Sequence, residues 1–210
     1  MKNHIPSQGQ RGTKERITVQ IHLESSRSMP GQAQKAAGGA MKFLALVLTI
    51  LLMGCVGIPE NVKPVENFQL DRYLGTWYEI ARLDHPFERG LTRVTAEYSL
   101  RHDGGVRVLN RGYSGREHSW KEAVGRAYFV KGSDQGYLKV SFFGPFYGSY
   151  VIFDLDHEHY RYALVSGPDK SYLWILARTP TLKKETIEAL IAKASSVGFD
   201  TGKLIFVDHH

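Results

Sequence analysis

Cysteine is almost missing from this chain of 210 residues: Cys55 is the only one. One thiol excludes an intrachain disulfide framework and any metal cluster built on cysteines. Long apolar runs are missing as well. The longest, Phe43 to Met53, has eleven residues, too few to cross a bilayer as a helix. Excess charge is missing from the body of the chain. The formal net charge of +6 comes mostly from the first 42 residues, where seven Lys and Arg face only Glu15 and Glu24. From Cys55 onward, 20 basic and 19 acidic residues nearly cancel, which leaves no basic footprint for nucleic acid. Signatures of catalysis are absent too. No glycine-rich loop precedes a helix, and Ser166-Gly167 lacks the flanks of a nucleophile elbow. No catalytic residue, cofactor or metal site is assigned. Asp154, Asp156, His157 and His159 cluster, but at a tight turn where Asp is expected and His is merely exposed.

What is present begins with the position of that cysteine. "MKFLALVLTILLMGC", residues 41–55, has a lysine, an apolar core and a small residue before Cys55, the plan of an export signal over 41–54. Residues 1–40 are polar, without a period, and read as disordered or as a mis-assigned start, with translation beginning at Met41. Residues 55–72 carry two prolines and no apolar period, and read as a tether between membrane and domain.

From residue 73 to 210 the chain reads as one domain. Short β-prone runs follow at about 76–83, 92–101, 105–113, 119–130, 136–143, 147–155, 160–166 and 172–178. Turn-forming separators such as "RHDGG", "GSDQG" and "SGPDKS" join them as antiparallel neighbours. Asp103-Gly104 marks a tight hairpin. The period then changes to 3–4, with Ile187, Leu190, Ile191, Ala194 and Val197 on one helix face, Thr181 as its cap and Gly198 at its end. The last run, "KLIFV", reads as an edge strand. The run 172–178 is apolar on both faces, Leu173, Ile175 and Ala177 against Tyr172, Trp174 and Leu176. It therefore needs the helix on one side and an interior on the other. The expected fold is all-β: an eight-stranded antiparallel up-and-down barrel with one C-terminal helix outside. Alternation along 76–83 puts Trp77, Glu79 and Ala81 on one face and Tyr78, Ile80 and Arg82 on the other. A carboxylate then points inward and needs a partner that the sequence does not identify.

Three motifs now appear in order: Gly75-Thr76-Trp77, Asp156 followed by Tyr160, and Arg178 at the end of the last run. With the eight strands and the helix they resemble the lipocalins. "YEIARLDHPFERG", "KVSFFGPFYG" and "GPDKSYLWILARTP" are similar to the bacterial outer-membrane lipocalins, a group related to apolipoprotein D, over roughly residues 66–207. The turn element departs from the tighter Thr-Asp-Tyr of many relatives. Leu52-Met53-Gly54-Cys55 resembles a lipobox. That resemblance implies a diacylglycerol on Cys55, cleavage before it, acylation of the new terminus and, with Val56 in place of Asp, sorting to the periplasmic face of an outer membrane. The family resemblance implies that Trp77 packs across the closed bottom with Arg178 over its ring.

The resemblance also implies a cavity for an apolar ligand. Alternation supplies candidate contacts at Glu79, Phe129, Leu138, Val140, Phe142, Tyr150, Tyr172 and Trp174, with Phe87 in the long first loop. Taken singly, an aromatic at such a position is more often plain core packing than a ligand contact. The exposed aromatics of "FFGPFYG" and Phe87 could touch ligand, membrane or a second copy in a homodimer. The leading expectation is a lipid-anchored lipocalin that binds or transports a fatty acid or lysophospholipid in envelope maintenance, without chemistry. An enzyme on the same barrel and a structural lipoprotein with a filled barrel are the alternatives.

Amino-terminal sequencing of the unprocessed precursor is expected to start at Met41. The mature chain is expected to take up labelled palmitate at Cys55 and to lose that label in Cys55→Ser. A precursor starting at Met1 refutes the assigned start.

Overall fold

Residues 56–210 are described by the structure, a computed structural model of the chain. The polar segment 1–40, the expected export signal 41–54 and the expected anchor residue Cys55 lie outside the described residues. The alternating runs form eight strands: β1 (Gly75–Arg82), β2 (Leu91–Leu100), β3 (Val106–Ser114), β4 (Ser119–Phe129), β5 (Tyr137–Ser141), β6 (Gly148–Leu155), β7 (Tyr162–Ser166) and β8 (Leu173–Ala177). Each pairs antiparallel with the next, and β8 pairs back onto β1, so the sheet closes into a barrel. The Asp103-Gly104 turn is as tight as expected: Gly104 has φ of 78°, and Asp103 Oδ1 accepts the Gly105 N–H at 3.0 Å. β7 starts two residues later than expected, because Tyr160 is held at φ 54° with its N–H donating to the Asp156 carbonyl at 2.7 Å.

The period of two sorts side chains into two cores. Trp77, Tyr98, Val108, Ile152, Val165 and Leu176 fill the inside. Outside, Val151, Leu164, Leu173, Ile175 and Ala177 pack with Leu190 and Ala194 of a helix at Lys184–Ser196. β8 is therefore buried on both faces, as its wholly apolar sequence requires. The helix ends as expected, with Gly198 at φ 94°, its N–H on the Ser195 carbonyl and the Phe199 N–H on the Ala194 carbonyl. Its start corrects the expectation. Lys183 is the capping position and offers no side-chain bond. Thr181 stands two residues too early for its hydroxyl to reach the first free N–H groups. Its carbonyl accepts the Thr179 hydroxyl instead. The edge strand shrinks to β9 (Ile205–Phe206), paired with Ala81 and Arg82.

The expected tether is docked chain from residue 56 onward. The carbonyls of Val56 and Gly57 accept the Tyr137 hydroxyl at 3.1 Å and Ser149 Oγ at 2.5 Å. Val62 is buried in the outer core, Val65 bonds to both Ile152 and Gly136, and Phe68 is buried at the bottom. Apolar residues spaced along 56–68 match the apolar wall they cross, which outweighs the absence of any regular period. The segment runs down the barrel from the open end, beside the start of β6, to the closed end.

At the closed end a short helix, α1 (Leu70–Tyr73), leads into Gly75 at φ 92° and then Trp77, which is 0% exposed. The main C-terminal helix is α2 from here on. Trp77 Nε1 donates to the Tyr73 carbonyl at 2.8 Å. The Arg178 guanidinium lies 4.1 Å above the Trp77 ring. It donates to the carbonyls of Arg72 at 2.7 Å, Thr76 at 2.9 Å and Tyr160 at 3.3 Å. One cation thus joins α1, β1 and the β6–β7 turn over the ring that plugs the barrel. In that turn Asp156 accepts from Arg161 Nε at 2.6 Å and from the His159 N–H at 3.3 Å, and Tyr160 packs into the floor.

A double-mutant cycle of Trp77→Phe and Arg178→Met, read by urea denaturation, is expected to give a coupling of about 0.5–2 kcal/mol. Purely additive effects would show that the stacked pair does not act as a unit.

Candidate functional site in the barrel interior

The polar centre of the interior starts from a break in β1. Glu79 faces Leu176 of β8, but the next paired residue is Ala81, opposite Ile175, so Ile80 is an extra residue in the strand. A bulge inverts the phase of everything after it. Ile80 and Ala81 both join the outer core with α2, and Arg82 turns inward. Simple alternation placed Ala81 inside and Arg82 outside; the bulge reverses both. Arg82 is 1% exposed, and its Nη1 sits 2.6 Å from Glu79 Oε1. The partner of the inward carboxylate is therefore the arginine three residues later in the same strand. Leaving either charge alone at this depth would cost several kcal/mol.

Arg82 also folds the loop above it. Its Nη2 donates to the Glu88 carbonyl at 2.7 Å and the Leu91 carbonyl at 3.3 Å, which draws residues 83–90 over the rim. That brings in His85 and Glu88, both buried. Glu88 Oε2 accepts Trp174 Nε1 at 3.1 Å and lies 3.0 Å from His85 Nε2. The His85 ring stacks on Phe87 at 4.0 Å and on Tyr172 at 5.9 Å. The guanidinium bonds the carboxylate of Glu79 and only the backbone carbonyl of Glu88, and the two carboxyls separate electrostatically. Burial pushes the Glu79 carboxyl up and the Glu88 charge adds to this, while Arg82 offsets only part. Burial is also the largest influence on Glu88, but His85, Trp174 and Arg82 together outweigh it and hold that carboxyl below its ordinary range. Glu79 is the member that takes up a proton first as pH falls.

Below this network three phenols form a chain. Tyr150 Oη is 2.7 Å from both Tyr73 Oη and Tyr98 Oη. Burial raises the pKa of each, so they stay neutral and can both donate and accept.

The sequence candidates fall around these groups. Phe129, Leu138, Val140, Phe142, Tyr150 and Trp174 all belong to the inner cluster. The Phe142 ring lies against Gly125, where a Cβ would come within 2.8 Å of it, so a glycine makes room for the ring on the neighbouring strand. Accessibility is graded: Trp77, Ile152 and Val165 are sealed, whereas Val140, Phe142, Tyr150 and Trp174 are only partly buried. Phe87 stands at the rim, 59% exposed, with Tyr172 stacked behind it. Sequence reasoning missed Arg82, His85, Glu88, Tyr73, Tyr98 and Asn110. Asn110 follows Val106 and Val108 on the inward face of β3, a signal the alternation did carry. Its Oδ1 is buried and makes no hydrogen bond to the described residues. His209, near the chain's last residue, packs on Tyr78 and shares a 2.8 Å hydrogen bond with the Glu79 carbonyl beside the bulge.

Residues 68–209 match the family described as the lipocalin-like domain. The chain is 61% identical over 168 residues to outer membrane lipoprotein Blc of Vibrio cholerae, covering 80% of this chain and 98% of that protein. To the protein of the same name in Escherichia coli K12 it is 56% identical over 149 residues, covering 71% and 84%. Among solved structures it resembles insecticyanin of Manduca sexta, with a TM-score of 0.59 at 24% identity, covering 72% and 86%, a likeness of fold.

Arg82→Met leaves the buried Glu79 carboxylate without its paired cation and is expected to cost about 3–5 kcal/mol by urea denaturation. The raised Glu79 pKa contributes stability that is complete below the ordinary glutamate range and lost as pH rises through the raised value. Calorimetry from acid to neutral pH is therefore expected to show Glu79→Gln gaining Tm relative to the parent as pH rises. A constant difference would assign that loss elsewhere.

Proposed function

The chain belongs to the lipocalin family, and on that premise we propose that it is an outer membrane lipoprotein whose barrel binds and carries a lipid with a long acyl chain. The anchor is Cys55, exposed by removal of residues 41–54, and the domain stands on the periplasmic face. Two relatives that bear the name outer membrane lipoprotein support the location, and the lipobox supports the anchor. Several acyl chains on one residue hold firmly, because each buried methylene contributes about 0.8 kcal/mol.

The observation that carries the ligand reading is the gradient inside the barrel. An aromatic and aliphatic wall is sealed below by Trp77 and becomes accessible towards the rim at Val140, Phe142, Tyr150 and Trp174. An acyl chain entering there buries its methylenes at about 0.8 kcal/mol each, while polar groups fix the head. The polar groups also rank heads. Arg82 is already paired with Glu79, and the Glu88 carboxylate lies in the same buried network. A further carboxylate would add repulsion at depth, whereas an ammonium or hydroxyl can bond to Glu88, to the Asn110 oxygen and to the phenol chain. Lysophospholipid is therefore favoured over free fatty acid. The role is binding and transfer, with no step of bond making.

The mature chain carrying Cys55→Ser, titrated with lysophosphatidylethanolamine and with palmitate, tests this by tryptophan emission and native mass. Saturable one-to-one binding is expected, tighter for the lysophospholipid, with most of the emission change lost in Trp174→Phe. Hydrolysis products would select the enzyme on the same barrel. No complex at micromolar ligand would select a barrel filled by its own side chains.

A further inference from the structure

The path of the amino-terminal segment and the placement of exposed aromatics agree on how the domain stands on a membrane. Gly57 is fixed by Ser149 Oγ at 2.5 Å, at the start of β6 just after the β5–β6 hairpin, and it also lies beside Pro168 of the β7–β8 loop. Both places belong to the open end of the barrel. Val56 is held by the Tyr137 hydroxyl. Cys55 precedes Val56 by one peptide unit, about 3.8 Å between Cα atoms. The anchor therefore leaves the domain close to the mouth, with no free linker behind it to let the barrel turn over.

Exposed aromatic side chains concentrate at that end. Phe143 is 81% exposed and Phe146 59% in the β5–β6 hairpin, and Phe87 is 59% exposed in the β1–β2 loop. Trp120, at the start of β4, and Phe206, opposite Ala81 near the end of β1, are the other exposed Phe or Trp side chains among the described residues. All five stand at the mouth end. The closed end exposes only Leu100 and Val130 among large apolar side chains of the described residues. Aromatic rings at a rim, next to a lipid anchor, match the interfacial layer of a bilayer, where amphipathic and aromatic groups settle at the head-group level.

We propose that the mouth of the barrel docks on the leaflet that holds the anchor, with the Phe143–Phe146 hairpin and Phe87 in the interfacial layer. A ligand then passes between leaflet and barrel without crossing water. The proposal rests on the anchored-lipoprotein reading for its orientation.

The test uses the full, processed chain in phosphatidylethanolamine–phosphatidylglycerol vesicles that contain a lipid with a nitroxide on its acyl chain. Acylation occupies Cys55, so a fluorophore can be placed on Phe143→Cys or, at the closed end, on Val130→Cys. Emission at position 143 is expected to shift to the blue and to be quenched several-fold more than at 130. Equal quenching, or stronger quenching at 130, overturns the orientation. Burial of the 143 probe without vesicles, with a doubled mass in solution, overturns it in favour of a face between two copies. Mass spectrometry of the same sample separates the two readings. An unacylated Cys55 refutes the anchor alone, and the docking surface then stands or falls on whether Phe143→Ser with Phe146→Ser releases the unlipidated chain from plain vesicles. No release overturns it.

Discussion

Two glutamates inside an eight-stranded barrel require a cation inside it, and a strand of strict alternation could not have supplied one. Glu79 and Arg82 are three residues apart, which in a regular strand puts them on opposite faces. Ile80 removes the conflict by bulging out of the β1–β8 ladder. The inserted residue is not idle, since Ile80 and Ala81 both pack in the outer core with α2. The carbonyls of Glu79 and Ile80, on the edge facing the chain terminus, accept His209 and the Val207 N–H. One local irregularity thereby sets the internal charge balance, the fold of the first loop through Arg82, and the docking of the terminus.

The two ends of the barrel use cations differently. At the floor Arg178 sits over Trp77 and takes three carbonyl acceptors from separate segments, so its own partners are neutral. Near the mouth Arg82 takes a carboxylate and two carbonyls, and its neighbours Glu88 and His85 come from a loop. The floor is a seal, and the mouth is a polar collar around an accessible apolar wall. That polarity suits the proposed carrier role, in which an acyl chain enters first and the head finds partners last.

The amino-terminal segment adds direction to this asymmetry. It descends the wall from mouth to floor before entering α1, so Val56 lies at the open end. Its apolar residues complete the outer core on the side away from solvent, and under the proposed anchoring the same contacts would limit how the barrel stands on a membrane.

Much of this was legible in the sequence. The eight strands showed because a half-buried strand must alternate, and the two-sided burial of β8 showed because Leu173 to Ala177 contains no polar residue. The floor showed through Gly75, Trp77 and Arg178, whose spacing carries a resemblance. Most of the inward aromatics followed from the same alternation. The bulge at Ile80, the inward turn of Arg82 and the recruitment of His85 and Glu88 did not show, because a one-residue insertion in a ladder is settled by pairing with β8, a partner almost a hundred residues away. The docking of residues 56–69 was hidden for a related reason: its few apolar side chains mean nothing until the wall they fit exists. The sequence by itself determined the barrel and its seal, since each rests on local period or a short motif. The tertiary structure alone decided which charges meet inside and at which end of the barrel the segment from Val56 begins, since both depend on contacts between distant segments.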